Sequence, residues 1–201
     1  MKPRQVALYG GSFCPPHVAH LLAASYALAT GLDEVWVAPV YAHRFDKPLL
    51  APFAKRVQWC QQTFAQLGSR VTVLSTEREL AIAGGTGATL DLVRHLQHQH
   101  PDVRLRLLVG SDVLADRLRW HRWHELEQLA PPLVIPRPGK PVPADFAGEV
   151  LPLSLADVSS SDLRERLQQR LDLRGWLHAD VARDPDLVRH FGPQQTGGDA
   201  D

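Results

Sequence analysis

Short apolar runs alternate with longer polar stretches of helical period along this chain. The runs at 4–9, 33–40, 70–76, 103–109 and 132–136 are rich in Val, Leu and Ile, and a weaker one lies at 149–153. They predict strands. Between them, apolar residues recur at helical spacing over 16–30, 52–67, 87–100, 113–129 (interrupted), 159–171 and 178–190. Short strands alternating with helices of this length predict βαβ units. Segments 35–40 and 103–109 are mostly apolar throughout, as expected of strands covered on both faces. The fold class expected is α/β: a Rossmann-like, doubly wound parallel sheet of five to six strands with helices on both faces. Segment 137–148 carries three prolines and two glycines and reads as loop. Residues 1–192 are expected to form one domain, with a helical C-terminal part at 159–192. The polar, glycine-containing stretch 193–201 is expected to be disordered.

Composition narrows the class. Lys plus Arg (22) balances Asp plus Glu (22) in 201 residues. A nucleic-acid protein held by bulk charge would show a basic excess, so no nucleic-acid partner is expected. No apolar stretch approaches a membrane span, and the N-terminus lacks the apolar segment of a signal peptide. Two cysteines, Cys14 and Cys60, are too few for a disulfide framework. A cytoplasmic location is the expectation.

In open parallel sheets, ligands bind beyond the carboxyl ends of the strands. The loops expected there contain Gly10-Gly11-Ser12, Lys47, Gly84-Gly85-Thr86-Gly87, Gly110-Ser111-Asp112, Arg137 and Ser159-Ser160-Ser161. Glycines, hydroxyls, isolated cations and a carboxylate suit phosphate and ribose. The first loop is the most informative. Small residues after the strand let a phosphate approach the backbone. Pro16 fits a first helical position, and the free N–H groups of the new helix attract an anion. His17 and His20, three residues apart, fall on one helical face. No G-x-x-x-x-G-K-[ST] motif occurs, and the first turn has no G-x-G-x-x-G, which excludes a P-loop ATPase and weakens a dehydrogenase reading.

The segment Gly10-Gly11-Ser12-Phe13-x-Pro15-Pro16-His17-x-x-His20-Leu21 resembles the GG[TS]F-x-P-x-H-x-G-H-L signature of the nucleotidyltransferase superfamily. Val158-Ser159-Ser160-Ser161-Asp162-Leu163-Arg164 resembles its second signature, I-S-S-T-x-[IL]-R. Within the superfamily, the chain is similar to the bacterial nicotinate-nucleotide adenylyltransferases. Lys47-Pro48-Leu49 with Arg56, Thr86-x-x-Thr89-Leu90, Gly110-Ser111-Asp112, Trp120-x-x-Trp123 and Arg137-Pro138-Gly139 follow in that family's order. Three positions depart from it. Cys14 stands for Asp or Asn, Ala19 for Gly, and Gly84-Gly85-Thr86 for Ser-Tyr-Thr.

The resemblance implies adenylyl transfer from ATP to nicotinate mononucleotide, with Mg²⁺ accompanying the nucleotide. The acceptor phosphate would attack the α-phosphorus directly, and pyrophosphate would leave. Such transfer asks the protein mainly for positioning and charge stabilisation. His17, His20 and Arg164 are the catalytic candidates. Gly10, Gly11, Ser12, Phe13, Gly110, Asp112, Ser159 and Ser160 would join them in holding ATP. Lys47, Thr86, Asp112, Trp120 and Arg137 would hold the mononucleotide. No metal site built from side chains is implied.

Plainer readings stand beside these. His17, His20 and Cys14 lack the fourth ligand a zinc site needs. Cys14 next to a helix N-terminus suits a nucleophile, yet nothing else supplies that chemistry. Ser159–Ser161 with Asp162 form a capping cluster, which is compatible with anion binding. Gly84–Gly87 with Thr86 equally suits a flexible capped loop, Trp120 and Trp123 a core face, and Lys47 and Arg137 solvated cations. His95, His98, His100, His121 and His124 read as surface or cap residues. Two alternatives remain: the same chemistry on nicotinamide mononucleotide or phosphopantetheine, and a non-catalytic nucleotide-binding protein. A flavodoxin-like carrier would need a flavin site, for which no distinctive sequence is present.

Overall fold

A computed structural model describes residues 2–42, 51–153 and 155–193. Its centre is a six-stranded, wholly parallel sheet in the order β3-β2-β1-β4-β5-β6. The strands are β1 (Arg4–Gly11), β2 (Glu34–Pro39), β3 (Val71–Val73), β4 (Val103–Gly110), β5 (Pro132–Ile135) and β6 (Glu149–Val150). That order reverses between β1 and β4, which opens a crevice at their carboxyl ends. Six strands agree with the expectation. β1 runs through Gly10 and Gly11, which pair with Ala38 and Pro39, so the glycines close the strand rather than begin the turn.

Alternation along the strands divides the core. Val6 and Leu8 of β1, with Leu105 and Leu107 of β4, face α4 (Thr89–Gln99), α5 (Ser111–Ala115) and α6 (Trp123–Leu129). Ala7, Val35, Val37 and Leu108 face the other way, onto α1 (Val18–Ala29) and α2 (Phe53–Phe64). A third cluster joins Ala19 and Trp59 to Leu163 of α7 (Ser160–Gln168), Val181 of α8 (Ala179–Arg183) and Phe191 of α9 (Pro185–Phe191). This cluster brings the late Ser159–Arg164 segment back to the first turn.

Three departures have local causes. Helix α3 (Thr76–Ile82) occupies what reads as the end of a strand and a loop. Its single buried residue is Thr76, so no apolar period announces it, and Ser75 Oγ bonding to Glu79 at its start stabilises the turn. Helix 52–67 ends at Phe64 and continues as a 3₁₀ segment, Ala65–Arg70, kinked at Gly68 with φ 63°. Helix 178–190 divides at Asp184-Pro185. Asp184 caps α9 through Asp186 N–H, and its carboxylate also takes Trp59 Nε1–H at 2.9 Å and Lys55 Nζ at 3.1 Å. Proline at the first position of α9 suits the start of a new helix. The interruption expected in 113–129 occurs, with α5 and α6 separated by a 3₁₀ turn, Arg117–Arg119. The stretch 194–201 lies outside the described residues.

Candidate functional site

The turn after β1 is held from beneath. Phe13 sits at φ 45°, a conformation that bulky residues rarely adopt. Its ring is buried edge-on to Tyr9 and to His20, with centroids 5.4 and 4.9 Å away. Burial of that ring offsets a backbone cost of about 1–2 kcal/mol. Arg56 is 1% exposed and donates from Nε to Ala51 O at 3.1 Å and from Nη1 to Ser12 O at 3.0 Å. A Cβ on Gly11 would meet the Phe13 ring at 3.1 Å, whereas one on Gly10 would meet nothing within 4 Å among the described residues. The open backbone approach is therefore at Gly10.

The two histidines meet at the helix end rather than one turn apart along a face. Pro16 precedes the helix: His17 is the N-cap, extended at φ −147° and ψ 176°, and α1 begins at Val18. An N-cap residue keeps a non-helical backbone, which lets His20 reach back. His17 N–H donates to His20 Nδ1 at 3.1 Å, and the rings lie 3.8 Å apart. His20 therefore carries its proton, when neutral, on Nε2. Burial pushes His17 down to about 4 and His20 well below the ordinary imidazole value; the positive charge of Arg137 adds to both. At neutral pH both rings are uncharged N–H donors.

This has a consequence for stability. A folded-state pKa below the unfolded value of 6.5 means that the unfolded chain takes up protons first as pH falls. The contribution is full above that value and is lost toward pH 4. For His17 it amounts to about 3 kcal/mol. Glu77, raised from 4.5 to about 7 by burial, works in the opposite sense over the same range. Two histidines outweigh one carboxyl, so the melting temperature of the ligand-free protein is expected to fall between pH 6.5 and 4.5. A double His17→Asn, His20→Asn variant should lose or reverse that slope in scanning calorimetry, and an unchanged slope would refute the assignment.

The second motif locks onto the first. Ser159 caps α7: its Oγ accepts Asp162 N–H, and the Asp162 carboxylate accepts Ser159 N–H at 2.9 Å. Ser160 Oγ donates to Pro15 O at 2.8 Å. Arg164 donates from Nη1 to Cys14 O at 2.8 Å and from Nη2 to Ser161 Oγ at 2.9 Å. The N-terminus of α7 thus opens beside the imidazoles, with the Ser160 and Ser161 N–H groups unpaired among the described residues and the positive end of the helix dipole suited to an anion.

Opposite lies the end of β4. A Cβ on Gly110 would fall 2.3 Å from Asp112 Oδ1 and 2.9 Å from Arg137 Cδ. Arg137 Nη1 stands 3.7 Å from Asp112 Oδ2, and Nη2 donates to Val158 O at 3.1 Å. Asp112 Oδ1 is buried and has no hydrogen-bond partner among the described residues.

These groups enclose one cavity of about 660 Å³, a size suited to small-molecule ligands. Gly10, Gly11, Ser12, His17 and His20 line it from the first motif. Gly110, Asp112, Trp120 and Arg137 line it from the β4–β5 side, and Ser159, Ser160 and Arg164 from α7. Trp120 opens onto the cavity, while Trp123, edge-on at 6.0 Å, is buried in the core. Phe13 supports the turn and is not in the lining. Thr86 is exposed, with its hydroxyl bonded to Asp91, and Thr89 lines the cavity in its place. Lys47 lies outside the described residues. Glu77 also lines the cavity. Sequence reasoning missed it because it sits on the helix without an apolar period. Among the described residues, no group of three or more His, Cys, Asp or Glu side chains could hold a metal ion.

The family model of cytidylyltransferase-like proteins matches residues 8–166. A probable nicotinate-nucleotide adenylyltransferase of Anaeromyxobacter sp. (strain K) is 42% identical over 181 residues, covering 90% of this chain and 92% of the relative. One of the same name from Myxococcus xanthus is 41% identical over 169 residues, covering 83% and 84%. The chain belongs to the nicotinate-nucleotide adenylyltransferase family. The fold agrees: the Plasmodium falciparum nicotinic acid mononucleotide adenylyltransferase, solved in complex with NaAD, superposes with a TM-score of 0.72 at 19% identity, covering 92% of this chain and 95% of that one.

Membership gives the three departures a structural setting. Cys14 contributes a carbonyl to Arg164, and its side chain is buried. Ala19 is buried in the cluster that joins α1 to the C-terminal helices. At Gly85, a Cβ would lie 2.9 Å from Leu80 O, so this backbone has no room for an aromatic side chain there. Among the described residues, no helix is long and apolar enough to cross a membrane.

Proposed function

We propose that this chain transfers AMP from ATP to nicotinate mononucleotide, giving nicotinate adenine dinucleotide and pyrophosphate. The observation that carries the reading is the convergence of both motifs on one cavity, with Ser160 and Arg164 bonded to the carbonyls of the first turn. Family membership supplies the reaction. The residues supply its means.

The acceptor phosphate attacks the α-phosphorus in line, without a covalent enzyme intermediate. ATP lies with its phosphates between Gly10, the imidazoles and the N-terminus of α7. His17 and His20 present N–H donors to phosphate oxygens as charge builds there, and being neutral they need no counter-ion. Arg164 and the N–H groups around Ser159 and Ser160 hold the departing pyrophosphate. Arg137 adds a charge on the opposite side, and Asp112 accepts from a ribose hydroxyl. Trp120 offers a flat face to the pyridine ring. Thr86 and Lys47, from the family's acceptor-binding segments, belong to the same proposal. A Mg²⁺ ion fits this site as part of the nucleotide: it prefers phosphate oxygens and water to a protein cage, and the described side chains provide no cage. When bound, it would neutralise phosphate charge.

Pyrophosphate release with MgATP tests the reading, comparing nicotinate mononucleotide, nicotinamide mononucleotide and phosphopantetheine. Preference for the first is expected. Preference for either of the others moves the substrate, and silence with all three in protein that still binds ATP favours a non-catalytic role.

A further inference from the structure

The cavity has an acidic group that neither motif explains. Glu77 lies in the first turn of α3, at the carboxyl end of β2 and β3. Among the described lining residues from Val40 to Leu92, Glu77 alone is charged. The arginines and imidazoles of the lining come from the other elements. The Tyr41 backbone N–H reaches the Glu77 carboxylate, and among the described residues no side chain hydrogen-bonds or ion-pairs with it. A carboxylate has room for about four hydrogen bonds. Among the described residues, Glu77 is thus a partly buried acceptor with capacity left over, lining a ligand cavity. Burial raises its pKa to about 7, the behaviour of a carboxyl whose ionised form is incompletely satisfied.

The chemistry of such a group restricts what can lie against it. A phosphate is repelled. A vicinal diol donates two hydrogen bonds and so complements a carboxylate. If the triphosphate occupies the β1–α7 side, as the proposed function has it, the acceptor falls on the side of Glu77. We propose that Glu77 binds the ribose hydroxyls of the acceptor mononucleotide. It thereby sets which end of that nucleotide enters first, turning the phosphate toward ATP. This inference rests on the proposed reaction. It adds a binding residue and an orienting rule to it.

Steady-state kinetics of wild type, Glu77→Gln and Glu77→Ala with nicotinate mononucleotide and MgATP test it. The KM for the mononucleotide should rise about tenfold or more in Glu77→Ala and less in Glu77→Gln, which keeps an acceptor oxygen. The KM for ATP should stay within about twofold, in variants that remain folded. Nicotinate riboside keeps ring and ribose but lacks the phosphate. Its inhibition constant should rise by the same factor. An unmoved riboside constant, an unmoved acceptor KM, or an equal rise for ATP would each overturn the proposal while leaving the reaction standing. A wild type that turns over none of the mononucleotide would remove both.

Discussion

His17→Ala is expected to lower kcat by about a hundredfold or more and to leave the fold in place. The ring is 2% exposed, lines the cavity and lies 3.8 Å from His20. Among the described residues, its Nδ1 has no hydrogen-bond partner. The capping bond from His17 N–H to His20 Nδ1 is donated by the backbone and survives the loss of the side chain. What is lost is a donor positioned for charge that develops in the transition state. Such a loss appears in kcat and kcat/KM alike, with little change in the KM for ATP. Full activity in a folded His17→Ala protein would remove the residue from the mechanism. A collapse in melting temperature by tens of degrees would assign it to structure.

The second large effect is expected at Gly110, where space is the cause. Its backbone, at φ −75° and ψ 154°, is open to any residue. Gly→Ala at this N-cap should change stability by less than about 1 kcal/mol. The added methyl group, however, would stand 2.3 Å from Asp112 Oδ1 and 2.9 Å from Arg137 Cδ. Both side chains must move, and both line the cavity. Misplacement on the scale of an ångström costs about a hundredfold when positioning supplies the catalysis. Gly110→Ala should therefore lose about that much kcat/KM with a nearly unchanged melting temperature. Gly10→Ala is the contrast: its Cβ meets nothing within 4 Å among the described residues. Any activity lost there would report the ligand itself. Wild-type activity in Gly110→Ala would show that Asp112 and Arg137 need not hold their observed places.

Much of the fold was legible because two periods were. Val6, Leu8, Leu105 and Leu107 against Ala7, Val35 and Leu108 mark strands buried on both faces. The apolar residues of α4, Leu92, Val93 and Leu96, follow helical spacing. Where burial leaves no such trace, reading failed. Helix α3 buries one residue, so Glu77 was invisible as a site residue. The exchange of Thr86 for Thr89 in the lining was equally hidden, because both threonines suit a helix start and only the path of residues 84–88 decides which faces inward. The same holds for the tryptophans, where helical spacing permits either one to be core.

The sequence by itself determined the alternation of strands and helices, the parallel sheet and the two motifs whose residues suit phosphate chemistry. Those properties are local: side-chain period, turn chemistry and capping residues act within a few positions. Tertiary structure alone decided that Ser160 and Arg164 bond to Pro15 and Cys14, some 145 and 150 residues earlier. It also decided that Arg56 supports Ser12 from beneath and that both imidazoles are neutral. Each of these depends on which surfaces are buried together. Desolvation and long-range hydrogen bonds are set by the packed whole, and no window of sequence contains them.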